Sequence, residues 1–282
     1  MFKFSCADFT FPVLERPAAL RLIKLLGLDH VDIGLFARST HFSPIDLVAD
    51  PHKYTAQILQ DLEVAELTAS DVFLQIGVDP SEQSANDPSP TIRIENREIF
   101  SRALEFCVAV RCNHLTGLPG VFHPGIPRET DLEIAAEEAQ WRLAECAGAG
   151  VRYSIEPHVG SICGEVESAR DFLRRVEGLT LTLDYGHFVM AGVSSALVHD
   201  LLVFASHVHV RGGAPDRLQT SVAENTIDFA GMLAGLNRVG FDGFLTLEYV
   251  WVDWKGCNRT DNVSETILLR RALEATASTL HV

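Results

Sequence analysis

Eight short apolar runs, each followed by a stretch with the 3.6-residue apolar period of a surface helix, alternate along the sequence, and few folds accept that order. The runs cover residues 3–6, 30–35, 72–77, 113–117, 152–156, 181–184, 207–210 and 244–249, bounded by Gly, Asp or Ser. The helical stretches cover 17–26, 52–68, 94–111, 129–147, 166–176, 196–204, 229–238 and 263–277. Strands separated by helices pair in parallel, with the helix as the crossover. Eight units in 282 residues leave about 35 residues for each strand, helix and two loops, near the ~250 residues typical of a (β/α)8 barrel. The expectation is an α/β fold, a single (β/α)8 TIM barrel spanning residues 1–282 as one domain. An open doubly wound sheet shows the same alternation, but no GxGxxG follows the first strand to supply a dinucleotide site.

Loop length points to the functional face. Turns entering strands are short, at 27–29, 70–71, 148–150, 177–179 and 240–243. Segments leaving strands are long and irregular, at 36–51, 78–90, 118–128, 211–227 and 250–260. In a barrel of this kind the strand-to-helix loops build the active site, and the opposite face serves stability.

Four consecutive strands end in metal-ligand residue types. They read Tyr153-Ser154-Ile155-Glu156, Leu181-Thr182-Leu183-Asp184, His207-Val208-His209 and Leu245-Thr246-Leu247-Glu248. Because side chains alternate across a strand, Ser154 with Glu156, Thr182 with Asp184, His207 with His209 and Thr246 with Glu248 share one face. That parity sends Glu156, Asp184, His209 and Glu248 into the barrel interior at its C-terminal rim. One acid at a strand end is most often a helix cap or an ion-pair partner. Three clustered carboxylates are different: they raise one another's pKa, burial adds to the cost, and a divalent cation relieves both. Oxygen-rich donors with one imidazole suit manganese, magnesium or another hard to borderline ion better than thiolate-bound zinc. His207, one layer deeper, is expected to be a packed, hydrogen-bonded core histidine.

Composition excludes other classes. Lys plus Arg number 23 against 38 Asp plus Glu, a formal charge of −15, and no basic run offers the counterion release that holds nucleic acid. No stretch approaches the roughly 18 apolar residues of a membrane span, so neither nucleic acid nor membrane is an expected partner. The N-terminus meets Asp8 too early for an export signal, and six cysteines without CxxC spacing read as free thiols in a reducing cytoplasm.

The segments Ser154-Ile155-Glu156-Pro157, Leu181-Thr182-Leu183-Asp184-Tyr185-Gly186-His187, His207-Val208-His209-Val210 and Thr246-Leu247-Glu248-Tyr249 resemble the sugar phosphate isomerase/epimerase family, the xylose isomerase-like TIM barrels. The likeness to ketose 3-epimerases and inosose isomerases is strong over residues 151–250 and architectural before them. It implies that Glu156, Asp184, His209 and Glu248 hold one divalent ion, usually Mn2+, with Mg2+, Co2+ or Zn2+ as alternatives. It also implies that Glu156 and Glu248 carry protons and that His187 and Arg217 contact a small carbohydrate substrate.

The chemistry fits those residues. A metal chelated by a ketone oxygen and the neighbouring hydroxyl acidifies the intervening C–H and stabilises the enediolate. Two glutamates on opposite faces of the substrate would epimerise it, and one glutamate serving both transfers would isomerise aldose and ketose; the residues allow either. A metal-dependent lyase, such as a dehydroshikimate dehydratase or a β-eliminating enzyme, shares the enolate step. An abasic-site endonuclease shares the Asp184-Tyr185-Gly186-His187 spacing but needs a cationic groove, and a non-catalytic sugar-binding barrel would tolerate loss of a ligand. The chain lacks the further glutamate that epimerases place after the strand-five ligand. His158 stands in that segment as a replacement substrate contact or a rim histidine without a role. Arg211 and Arg217 flank a flexible cationic loop that reads as an anion contact or as plain surface. Tyr249, Trp251 and Trp254 suit sugar C–H faces and a homo-oligomer contact alike.

Overall fold

The computed structural model describes residues 2–37 and 41–280. Its strands are β1 (Lys3–Ala7), β2 (His30–Phe36), β3 (Thr68–Gln75), β4 (His114–Gly117), β5 (Arg152–Ile155), β6 (Thr180–Asp184), β7 (Ala205–Val210), β8 (Gly212–Ala214), β9 (Arg217–Thr220) and β10 (Phe244–Leu247). β1 to β7 and β10 close a parallel barrel in the order β1-β10-β7-β6-β5-β4-β3-β2, and β8 pairs with β9 as a separate antiparallel hairpin. The helices are α1 (Arg16–Leu25), α2 (Pro44–Ala49), α3 (Pro51–Ala65), α4 (Pro90–Ala109), α5 (Arg128–Gly148), α6 (Val166–Arg175), α7 (Tyr185–Met190), α8 (Ser195–Val198), α9 (Phe229–Arg238) and α10 (Asn262–Thr279). The chain is thus the (β/α)8 TIM barrel that the alternation predicts.

Caps and prolines set the helix starts. Asp50 ends α2 and accepts the Lys53 N–H at 3.1 Å, with Pro51 opening α3, so the helix expected at 52–68 has a short separate helix before it. Asp261 caps α10 by accepting from Val263 and Ser264 at 3.1 and 3.2 Å. Two other expectations are corrected. Residues 70–71, read as a turn, lie inside β3, where Asp71 is buried against His114 Nδ1 at 2.7 Å, so an acid that suggests a turn is absorbed by a core histidine. The helix expected at 196–204 divides into α8 and a 3-10 turn over His199–Phe204.

The strand faces divide as the alternation requires. Leu181, Leu183, Val208, Val210, Leu245 and Leu247 join the main hydrophobic core beneath the helices. The barrel interior is polar instead. Thr116 Oγ1 pairs with Thr182 Oγ1 at 2.7 Å and with Ser154 Oγ at 3.2 Å. Asp32 on β2 accepts hydrogen bonds from Ser5 at 3.1 Å and Ser70 at 2.6 Å, and meets His207 Nε2 at 2.6 Å. His207 is therefore a core histidine, as its depth predicts, and Thr246 Oγ1 stands 2.8 Å from the same nitrogen.

Candidate active site

The rim is built from residues at or just past four strand ends. Asp184 closes β6, His209 lies on β7, and Glu156 and Glu248 each follow the last residue of their strand by one. All four are buried, none more than 4% exposed. The structure brings them together. His209 Nδ1 stands 2.6 Å from Glu156 Oε1 and 3.6 Å from Glu248 Oε2. Asp184 Oδ1 accepts the Gly186 N–H at 2.7 Å, so one carboxylate serves the rim and caps α7. Gly186 is required there, because a Cβ would lie 2.9 Å from the Leu218 carbonyl oxygen and 3.0 Å from Asp184 Oδ1.

His187 follows on α7. Its Nδ1 accepts from the Val159 N–H at 3.3 Å, and its Nε2 lies 3.6 Å from Asp184 Oδ2. His158 comes within 6.2 Å of it, ring centre to ring centre, and holds the Val159 carbonyl through Nδ1 at 2.9 Å. His158 Nε2 is buried with no hydrogen-bond partner among the described residues. Trp254, half exposed, lies 6.3 Å from His187, while Tyr249 is buried with its hydroxyl accepting from Gly212 N–H at 3.1 Å. Phe9 and Phe36 form an edge-to-face cluster with Phe73, which packs 5.6 Å from the His209 ring. Phe11 and Phe42 lie in the main core.

The two arginines of the 211–227 segment differ. Arg217, expected against substrate, has a half-exposed side chain paired with Glu224 at 2.9 Å, because it starts β9 in a folded hairpin rather than standing in a flexible loop. The buried guanidinium is that of Arg211. Its Nε lies 3.0 Å from Asp184 Oδ2, its Nη2 contacts the same oxygen, and Nη2 lies 3.1 Å from Glu248 Oε2 and 3.4 Å from His187 Nε2. Asp32 is the residue that sequence reasoning missed. Its Oδ2 lies 3.5 Å from His209 Nε2, and a lone aspartate amid the apolar run of β2 was the signal for it.

Electrostatics separate the acids. Burial pushes Glu248 up to about 7, against the pull of Arg211 and His209. Burial also opposes ionisation of Glu156 and Asp184, but His209 beside the first and Arg211 beside the second outweigh it and hold both carboxyls below their usual values. Burial disfavours charge on His209, yet Glu248 and Glu156 hold it well above an ordinary histidine. His187 is lowered to about 4, chiefly by burial.

These donors fit a divalent cation. Glu156, His209 and Glu248 offer ligand atoms within 4.8 Å of one another, and Glu156, Asp184 and His187 form a second, overlapping set. Glu248 Oε2 is buried without an aligned hydrogen bond, an acceptor that a cation would satisfy. Asp32, Asp71, His207 and His209 make a third group deeper in the barrel, where Asp32 already meets His207 and Asp71 already meets His114.

Residues 20–273 match the family model described as xylose isomerase-like TIM barrel. No curated protein sequence matches the chain significantly. Among solved structures it is similar to an L-ribulose 3-epimerase, with TM-score 0.78 and 13% identity over 100% of this chain and 96% of that one. It is similar to a family 2 AP endonuclease from Brucella melitensis, with TM-score 0.74 and 20% identity over 96% and 99%. A probable 3-DHS dehydratase from Bacillus anthracis, AsbF, gives TM-score 0.70 and 14% identity over 95% and 99%. At these identities the likeness is one of fold, and three chemistries share it.

Proposed function

The chain belongs to the xylose isomerase-like TIM barrel family, and from that premise we propose that it is a divalent-metal-dependent isomerase or epimerase of a small keto-sugar or sugar-like polyol. The observation that carries the reading is the placement of two buried glutamates from different strands, Glu156 and Glu248, on the same imidazole nitrogen of His209. Glu156, Asp184, His209 and Glu248 would hold the ion, with Mn2+ the choice that best suits three carboxylates and one imidazole. When bound, the ion polarises a ketone and its neighbouring hydroxyl and acidifies the C–H between them.

The protein's own groups do the rest. Glu156, held ionised beside His209, takes the proton from that carbon, and Glu248 is the second carboxyl able to return one. Return to the opposite face inverts the carbon. His187 and His158 position substrate hydroxyls above Asp184, and the half-exposed Trp254 offers its ring to the sugar's C–H face. The Phe9–Phe36–Phe73 cluster keeps water from His209. The charge of −15 supports a small substrate over a nucleic acid, and six buried free cysteines suit the reducing cytoplasm.

Assay of the Mn2+-loaded protein against ketoses, inososes, keto-acids and sugar phosphates tests the reading. Interconversion of a ketose or inosose, abolished by chelation, supports it. Cleavage of abasic DNA with no activity on this panel overturns it.

A further inference from the structure

Both oxygens of Asp184 are engaged by the protein itself. Oδ1 accepts the Gly186 N–H at 2.7 Å, and Oδ2 takes Arg211 Nε at 3.0 Å together with Nη2. Asp184 shares a donor set with Glu156 and His187, next to the overlapping set of Glu156, His209 and Glu248. Arg211 sits between Asp184 and Glu248. It follows His209 by two residues, so strand alternation turns it inward with the metal-ligand types, and it is 3% exposed, spanning from Asp184 Oδ2 to Glu248 Oε2. A guanidinium in that position is a fixed monovalent cation among clustered carboxylates, and two of its donors converge on one oxygen.

We propose that Arg211 is the resident cation of this site, which a divalent ion must displace from Asp184 to complete its ligand set. This rests on the metal reading above. Without metal, Arg211 keeps the buried acids paired, so the protein stays folded with its rim assembled. With metal, Asp184 Oδ2 exchanges one cation for the other, and the released guanidinium still has Glu248 within reach, at 3.1 Å in its present position. Ion affinity then includes the cost of breaking the Arg211–Asp184 pair.

Mn2+ affinity, measured by competition with a chelator, and melting temperature with and without Mn2+ decide the matter for wild type, R211M and R211K. Removing the competitor should tighten Mn2+ binding in R211M by about tenfold or more, the size of an ordinary coupling between two ligands. R211M without metal should melt well below wild type, and loading with Mn2+ should restore most of the difference. R211K, with a point charge and no fork, should fall between them on both measures and serves if R211M folds poorly. Equal or weaker Mn2+ affinity in R211M and R211K, or an unchanged metal-free melting temperature, overturns the displacement alone. Binding by R211M but not by wild type also overturns it, making the guanidinium a permanent substitute. No Mn2+ on any of the three overturns the metal reading and the displacement with it.

Discussion

His209 Nδ1 lies 2.6 Å from Glu156 Oε1. That contact joins β7 to the end of β5 across the barrel mouth, and Glu248 approaches the same nitrogen at 3.6 Å. A ligand set assembled this way loses its ion when its centre is removed. H209A and D184N, purified with Mn2+ and freed of excess metal, should retain much less than one equivalent where wild type retains one, as read by elemental analysis. Wild-type metal content in either variant would exclude that residue from the set.

Gln keeps the shape of Glu and still presents an oxygen to a cation, but it cannot take up a proton at neutral pH. E156Q and E248Q should each hold Mn2+ more weakly than wild type and, with metal saturating, lose about a thousandfold in kcat. Turnover near wild type in either variant would remove that glutamate from proton transfer.

Stability should report the raised Glu248. Its pKa goes from 4.5 to about 7 on burial. Between those values the folded protein binds more protons than the unfolded chain, so this group withdraws stability as pH rises, fully so above pH 7. In the presence of chelator, E248Q should therefore gain up to ~3 kcal/mol over wild type at pH 8 and little at pH 5 in urea titrations. A difference independent of pH would show that the carboxyl is ionised in the folded protein throughout.

Asp32 and Arg217 should differ as buried and exposed ion pairs do. Asp32 is fully buried and holds His207, Ser5 and Ser70, so D32N should cost about 3 kcal/mol by denaturant unfolding. Arg217 meets Glu224 at half exposure, and R217A should stay within ~1 kcal/mol of wild type and leave Mn2+ affinity unchanged. A neutral D32N would mean that the polar interior does not hold the barrel together.

The barrel and its rim were readable because both depend on period and parity. Alternation between Thr246 and Glu248, or His207 and His209, assigns an inward face to residues whose strand is known, and all four are buried, with Glu248 and His209 at the mouth. Arg211 obeys the same parity, but the following Gly212-Gly213 reads as loop, which hid the fact that it continues the inward face of β7. Asp32 and Asp71 were hidden for another reason. A lone aspartate in or before a short strand carries no sign of the His207 or His114 that pairs with it, and those partners come from strands far along the sequence. The β8–β9 hairpin depends on close packing against α7 at Gly186, a tertiary contact with no local signature.

Proton transfer by Glu156 and Glu248 is tested most directly by running the Mn2+-loaded protein on its best ketose in D2O and locating deuterium in the product by NMR. Deuterium at the carbon beside the carbonyl, at the inverted centre of an epimer, is the predicted result. Product carrying no deuterium at any carbon, formed at an undiminished rate by E156Q and E248Q, would contradict it.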